Sequence, residues 1–372
     1  MALGLGAFAI LAALGLSFVA RHGGAAGLWR AARGVTARAL AAAVGLMVFD
    51  CLFGGLRLHL WVRQLERGVG YTVSLRTYLV NLFAVAISPM GAASAPAQVA
   101  TLVHGGVRPA NAVAALLLNF VGILSAMLLV GGLAGGYLLF TSDLGTHVGG
   151  LQRGLLIAAL ALPILLVPLI LSPRLGPGLA ARLADLGAQC GGRAGGWPRR
   201  IGLIIGRAGT DYAASVGMMR RRQWSSLAAG LLLSAGMLVN KCAVGLFIVR
   251  GLGLEADPLE VVARQAVQYS LLYFSPTPGG SGIAEASVPM FMAGVVPESH
   301  WGVFALVWRA ITSYLGVALG AVAALIALGR RRPLESQTAE TTRSTRWERD
   351  RSTQGARPNP DGTKSGRGRD PG

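Results

Sequence analysis

Residues 274–286 read FSPTPGGSGIAEA, inside a stretch apolar enough to lie in a membrane. Pro276 and Pro278 lack an N–H donor and hold φ fixed, so no helix runs smoothly through them. Gly279, Gly280 and Gly282 let the backbone turn sharply and approach other groups closely. Glu285 follows in what becomes the first turn of a new helix. An acid there is favoured by the helix dipole alone, yet an acid at membrane depth is costly and calls for a partner or a function. The glycines suit tight helix packing, and equally an anionic headgroup at a helix start. Lipid offers no hydrogen bonds to open backbone, so such a break must be buried in protein or line a water-filled cavity. Transporters build binding sites from paired breaks of this kind near the bilayer midplane.

The break has an echo. SPMGAASAPAQ at 88–98 aligns with SPTPGGSGIAE at 275–285 without a gap, at an offset of 187 residues. Ser88 matches Ser275, Pro89 matches Pro276, Ser94 matches Ser281, and Gln98 falls opposite Glu285. Pro89, Gly91, Pro96 and Gln98 are therefore the first-half candidates for substrate contact. Pro276, Pro278, Gly279, Gly280, Gly282 and Glu285 are those of the second half.

Three further ionisable residues fall inside apolar stretches, where function is the default hypothesis. Arg309 lies about a third of the way into its span. It can snorkel, or its guanidinium can grip a lipid phosphate or Glu285. Lys241, one of only two lysines, has Asp50, Glu285 or a phosphate as available partners. Asp50 is a counter-ion or a functional group.

Composition fixes the elements that must position these residues. The chain is 53% hydrophobic and 13% charged, where a soluble domain carries roughly 25% charged residues. Its mean hydropathy is +0.55. Apolar runs of spanning length recur at roughly 3–20, 39–62, 111–140, 152–171, 224–249 and 301–328. The broken segments at about 71–105 and 259–296 read as re-entrant helix pairs. The first run has no basic segment ahead of it, so no cleaved signal peptide is expected.

Charge gives orientation. With both ends cytoplasmic, 25 of the 34 Lys and Arg fall inside, 7 outside, and Lys241 and Arg309 within the membrane. That asymmetry follows the positive-inside rule. The four Arg at 21–38 run against it and fit a helix lying on the outer surface. In this topology the first hairpin enters from the cytoplasm and the second from outside. The expected fold is therefore an all-α polytopic membrane protein with about six spanning helices and two re-entrant hairpins arranged as an inverted repeat. Its membrane domain is 1–328, with halves at about 1–140 and 152–328 and a cytoplasmic linker at about 172–223. Residues 329–372 are polar and basic, and are expected to be a disordered cytoplasmic tail.

PTPGGSGIAE at 276–285, followed by LVWRAITSYLG at 306–316, resembles the transmembrane domain of lysylphosphatidylglycerol synthases. Stand-alone proteins with this domain are called flippase-like. The resemblance covers about residues 38–328 and implies lipid movement across the bilayer. Relatives often carry a Gly-Glu pair after the first-half proline, whereas Pro89 to Gln98 here contains no acid. The best-known members also carry a cytoplasmic domain that transfers an aminoacyl group to lipid. Residues from 329 on are expected to form none, so the chain is not expected to be an enzyme.

Other signals exclude more than they assign. Cys51, Cys190 and Cys242 show no pairing or metal-ligand spacing and are expected to be free thiols. The five His are scattered, and no phosphate loop, dinucleotide fingerprint or nucleophile elbow occurs. No cofactor or metal is expected. The net charge of +18 is cytoplasmic in its placement and suits anionic lipid rather than nucleic acid. The Arg-rich usage looks like a high-GC bacterial genome, which points to the bacterial inner membrane. Three classes remain: a transporter of a lipid or lipid-linked anion, an intramembrane lipid-modifying enzyme, and a non-catalytic scaffold among envelope-biosynthesis partners. The first is preferred, because a scaffold has no need of open backbone in a membrane and no nucleophile or metal cluster supports the second.

Single cysteines test the topology by labelling from outside intact cells. Positions near Gly192 and Ser352 are expected to stay unlabelled and one near Asp143 to react; external labelling at Gly192 would overturn the inverted arrangement.

Overall fold

The structure, a computed structural model, describes residues 34–141 and 224–329, with isolated positions 6, 10, 13, 17 and 164. The expected spans at 3–20 and 152–171, the linker and the tail lie outside the described residues. One compact unit runs to Ala324, and of the second, Leu325–Gly372, only the last residues of a helix are described.

Every regular element among the described residues is helical. The first group is α1 (Ala37–Leu65), α2 (Tyr71–Ala86), a 3-10 turn (Pro89–Gly91), α3 (Ser94–His104) and α4 (Pro109–Ala126). A π-turn (Met127–Gly131) joins α4 to α5 (Gly132–Thr141). The second group is α6 (Trp224–Gly251), α7 (Pro258–Tyr273), a 3-10 turn (Pro278–Gly280), α8 (Ile283–Ala286) and α9 (Val288–Met292). It ends with α10 (Trp301–Arg309), a second π-turn (Ala310–Tyr314) and α11 (Leu315–Gly329).

Four stretches are long and apolar enough to cross a membrane: Ala37–Leu65, Pro109–Thr141, Ala228–Gly251 and Glu298–Ile326. They coincide with four of the six expected runs. Their outward faces carry exposed apolar side chains such as Leu133, Phe140 and Leu232, as a lipid-facing surface requires.

The helix boundaries follow local chemistry. Asp257 caps α7 by accepting from the backbone of Leu259 and Glu260, with Pro258 in the first turn; Pro109 likewise opens α4. Both are standard helix starts. At the end of α1, Glu66 accepts from the Arg108 backbone N–H and from Asn111 Nδ2, each at 2.9 Å. These bonds hold its carboxyl below the usual carboxylate range and tie α1 to the start of α4.

The element order recurs. α1 begins at 37 and α6 at 224, while α2 covers 71–86 and α7 covers 258–273, so both pairs stand 187 residues apart. α1 and α6 pack on each other antiparallel. The Thr36 N–H donates to the Gly251 carbonyl, Asn240 Nδ2 donates to the Leu46 carbonyl, and Gly230 lies against Trp61. The 3-10 turns of the two breaks, Pro89–Gly91 and Pro278–Gly280, also abut each other. Elements that match in sequence order thus meet in space.

The breaks share one backbone shape. Met90 has φ 51° and ψ 18°, and Gly279 has φ 56° and ψ 20°. Gly91 and Gly280 follow at φ 65° and 69°. This corrects the ungapped alignment: the turn pairs Pro89 with Pro278, not Pro276. Two residues, 87–88, separate α2 from its turn, while four, 274–277, separate α7 from its own. Past the break the register moves by two, so Gln98 corresponds to Ser287 and Glu285 to Pro96. Side chains agree. Gln98 bonds Asn81 in the first half, and Ser287 bonds Gln268, 187 residues beyond Asn81, in the second.

Gly54 permits one close approach that the site needs. A Cβ there would sit 2.3 Å from the ring of Tyr78, which packs across α1 and donates to Asp50. Gly54→Ala is expected to displace Tyr78 and to destabilise the protein by about 1–3 kcal/mol, the usual range for overpacking. Gly45→Ala, on the same helix with open space around it, is the control. Thermal midpoints in detergent distinguish the two; equal midpoints would remove Gly54 from this role.

Candidate functional site

The second break is held by a buried ion pair. Arg309 Nε donates to Glu285 Oε1 at 2.8 Å, with Glu285 1% and Arg309 5% exposed. The rest of the guanidinium grips the break itself: Nη2 donates to the Gly279 carbonyl at 3.1 Å and to Ser281 Oγ at 3.2 Å. Nη1 donates to Ser313 Oγ one helical turn on. The other oxygen of Glu285 accepts the Gly282 N–H at 2.7 Å. One acid and one base therefore supply hydrogen bonds that the broken backbone cannot make with itself. Of the two partners open to Arg309 and the two roles open to Glu285, the geometry selects their mutual pairing together with helix capping.

The first break uses neutral groups. Ser88 Oγ donates to the Ala84 carbonyl and accepts from the Ala93 N–H. Gln98 Nε2 donates to Asn81 Oδ1 at 3.0 Å and to Ser94 Oγ at 2.9 Å. Met90 sits here with positive φ, a conformation that costs a side-chain-bearing residue roughly 1–2 kcal/mol. Its side chain is exposed toward the cavity described below.

A second pair lies between α1 and α6. Lys241 Nζ is 2.8 Å from Asp50 Oδ2, which also accepts from Tyr78 at 2.7 Å. Asp50 is buried, while Lys241 is partly open. Of the two carboxylates within the expected reach of Lys241, Asp50 is the one it bonds.

A cavity of about 1920 Å³ opens between α3, α4, α6 and the two breaks. It exceeds the roughly 300–1,000 Å³ of ordinary small-molecule sites. Gly91, Pro96 and Gln98 line it from the first half, and Gly279, Gly280, Lys241 and Arg309 from the second. Pro89, Pro276, Pro278, Gly282, Glu285 and Asp50 stand outside this wall. Aliphatic and aromatic side chains including Leu116, Phe120, Ile123, Met237 and Leu272 form most of the remaining surface. The cations Lys241 and Arg309 face the cavity while their carboxylate partners sit behind them.

Arg57 is the residue that sequence reasoning misplaced. The charge balance counts it among the cytoplasmic basic residues, although the expected apolar run at 39–62 contains it. α1 continues to Leu65, so Arg57 lies about two turns inside the helix, 5% exposed and on the cavity wall. Its seven-residue spacing from Asp50, two turns on one helix face, was the available signal. Cys51 and Cys242 are free and buried, as expected.

Removing one member of a buried pair strands the other and costs about 3–5 kcal/mol. Glu285→Gln and Arg309→Met are each expected to lower the thermal midpoint sharply. The double variant should recover part of the loss, because no lone charge remains. Additive losses in this cycle would show that the two residues act independently.

Residues 2–320 match the family model described as the lysylphosphatidylglycerol synthase TM region. No curated protein matches the chain. The match contains both breaks, the ion pairs and the cavity. The chain is thus a membrane protein that belongs to the lysylphosphatidylglycerol synthase transmembrane-region family.

Proposed function

We propose that this protein moves a lipid or lipid-linked anionic substrate between bilayer leaflets. The observation that carries the reading is the cavity: both helix breaks line it, its walls are mostly apolar, and its charged side chains are cationic. Apolar walls suit acyl or prenyl chains, and inward-facing cations suit an anionic headgroup. Its volume suits a lipid better than a small metabolite.

The reading includes the finer architecture. Six spans and two re-entrant hairpins form an inverted repeat in a bacterial inner membrane, with both termini cytoplasmic. The 187-residue recurrence, the antiparallel packing of α1 on α6 and the abutting turns support it. His104 and Arg108, at the turn between α3 and α4 that this topology puts on the cytoplasmic side, also line the cavity. Transport is preferred over lipid modification because Glu285 is buried, bonded to Arg309 and the Gly282 N–H, and stands outside the cavity wall where a substrate would lie.

Gly280 has φ 69° and lines the cavity. Gly280→Leu adds bulk and forces a strained backbone at the centre of the proposed path. Purified protein in liposomes carrying a fluorescent phosphatidylglycerol is expected to flip lipid faster than empty liposomes, and Gly280→Leu to lose most of that rate. Wild-type rates in this variant would remove the break from the path.

A further inference from the structure

Three buried or part-buried cations face the inner cavity: Arg57, Lys241 and Arg309. Two have carboxylate partners, Asp50 and Glu285. Arg57 has none. Among the described residues it makes no ion pair, and its Nε is buried without a hydrogen-bond partner. Asp50 and Tyr78 lie within electrostatic reach of Arg57, but no Asp50 oxygen bonds it: Oδ2 is shared by Lys241 and Tyr78, and Oδ1 is buried without a hydrogen-bond partner. Close by on the cavity wall, the Lys241 ammonium spends one of its three donors on Asp50, which leaves two for a ligand.

A guanidinium set in an apolar cavity wall favours an anion, and its fork of donors matches a phosphate bidentately. Among the described residues no carboxylate lines this cavity. An amine on a headgroup would find no acid there, because Asp50 and Glu285 both lie behind their cations.

We propose that Arg57 and Lys241 form a phosphate-binding subsite that selects headgroups bearing a phosphate without a compensating amine. This rests on the lipid-transport reading and names its substrate class. Nothing in the second half duplicates the subsite: 187 residues beyond Arg57 stands Val244, and 187 before Lys241 stands Gly54. The headgroup is bound on one side of the pseudo-two-fold relation, and the second half holds its break shut with Arg309 instead.

The test is lipid affinity of the purified full-length protein in detergent, measured by native mass spectrometry. Its probes are phosphatidylglycerol, phosphatidylcholine, lysyl-phosphatidylglycerol and inorganic phosphate. Wild-type protein is expected to bind phosphatidylglycerol about tenfold tighter than either amine-bearing lipid. Arg57→Gln is expected to erase that preference, a loss matching one hydrogen-bonded charge, while Arg57→Lys keeps part of it. Equal wild-type affinity for all three lipids, or an undiminished preference in Arg57→Gln, overturns the proposal. If Arg57→Gln does not yield monodisperse protein, the wild-type ranking decides alone. Inorganic phosphate that competes as well as phosphatidylglycerol would keep the subsite and assign it to a soluble anion, overturning the lipid class. The expected ranking without flipping in liposomes would leave the subsite standing and remove the transport reading. Flipping without the ranking would do the reverse.

Discussion

Open backbone in a low-dielectric setting must find its hydrogen bonds nearby, and the described part of this molecule is arranged around that constraint. Two helices stop at proline-containing turns, and each stop exposes carbonyl and N–H groups that a continuous helix would have paired with itself. At the second stop the answer is ionic. Arg309 reaches across from α10 and binds a carbonyl, a hydroxyl and Glu285 together, and Glu285 closes the circuit on the Gly282 N–H. A neutral side chain has too few donors to serve all of these acceptors at once. The pair is thus a structural fastener whose charge cancels locally, which lets two ions sit in an apolar place.

The first stop has the same backbone shape but a different solution. Ser88, Asn81, Ser94 and Gln98 satisfy one another without charge. Neutral networks of this kind part more easily than a buried ion pair, and Met90 stores backbone strain at the same place. Most of the cavity's first-half lining comes from this side. The two halves therefore share geometry and divide labour: one is fastened, the other is polar and open to the cavity.

The distribution of charge follows from the same division. Asp50 and Glu285 sit behind Lys241 and Arg309, so the cavity sees only their cations. Arg57 adds a third without its own counter-ion. A burial of this sort is unfavourable for the empty protein, and it makes sense where an anionic ligand visits.

Much was legible in the residues alone. Hydropathy marked the four described spans within a few residues, because a helix that must bridge lipid has few alternatives in length or composition. Proline and glycine marked both breaks, because φ restriction and φ freedom are local properties. The free thiols of Cys51 and Cys242 and the placing of Asp50, Lys241 and Arg309 in apolar stretches of spanning length were likewise readable from type and context. What tertiary structure alone decided was who meets whom. Lys241 had Asp50 or Glu285 as a carboxylate partner, and only the packing of α1 on α6 chose Asp50, just as the packing of α10 on the second break joined Arg309 to Glu285. The two-residue shift that pairs Pro89 with Pro278 hides inside a run of prolines and glycines, where an ungapped match scores well in the wrong register. Arg57 stands inside the expected run at 39–62 yet counted as cytoplasmic, because a charge balance assigns an arginine near the end of a span to the water beside it. Whether such a charge faces water or a buried cavity depends on neighbours far away in sequence.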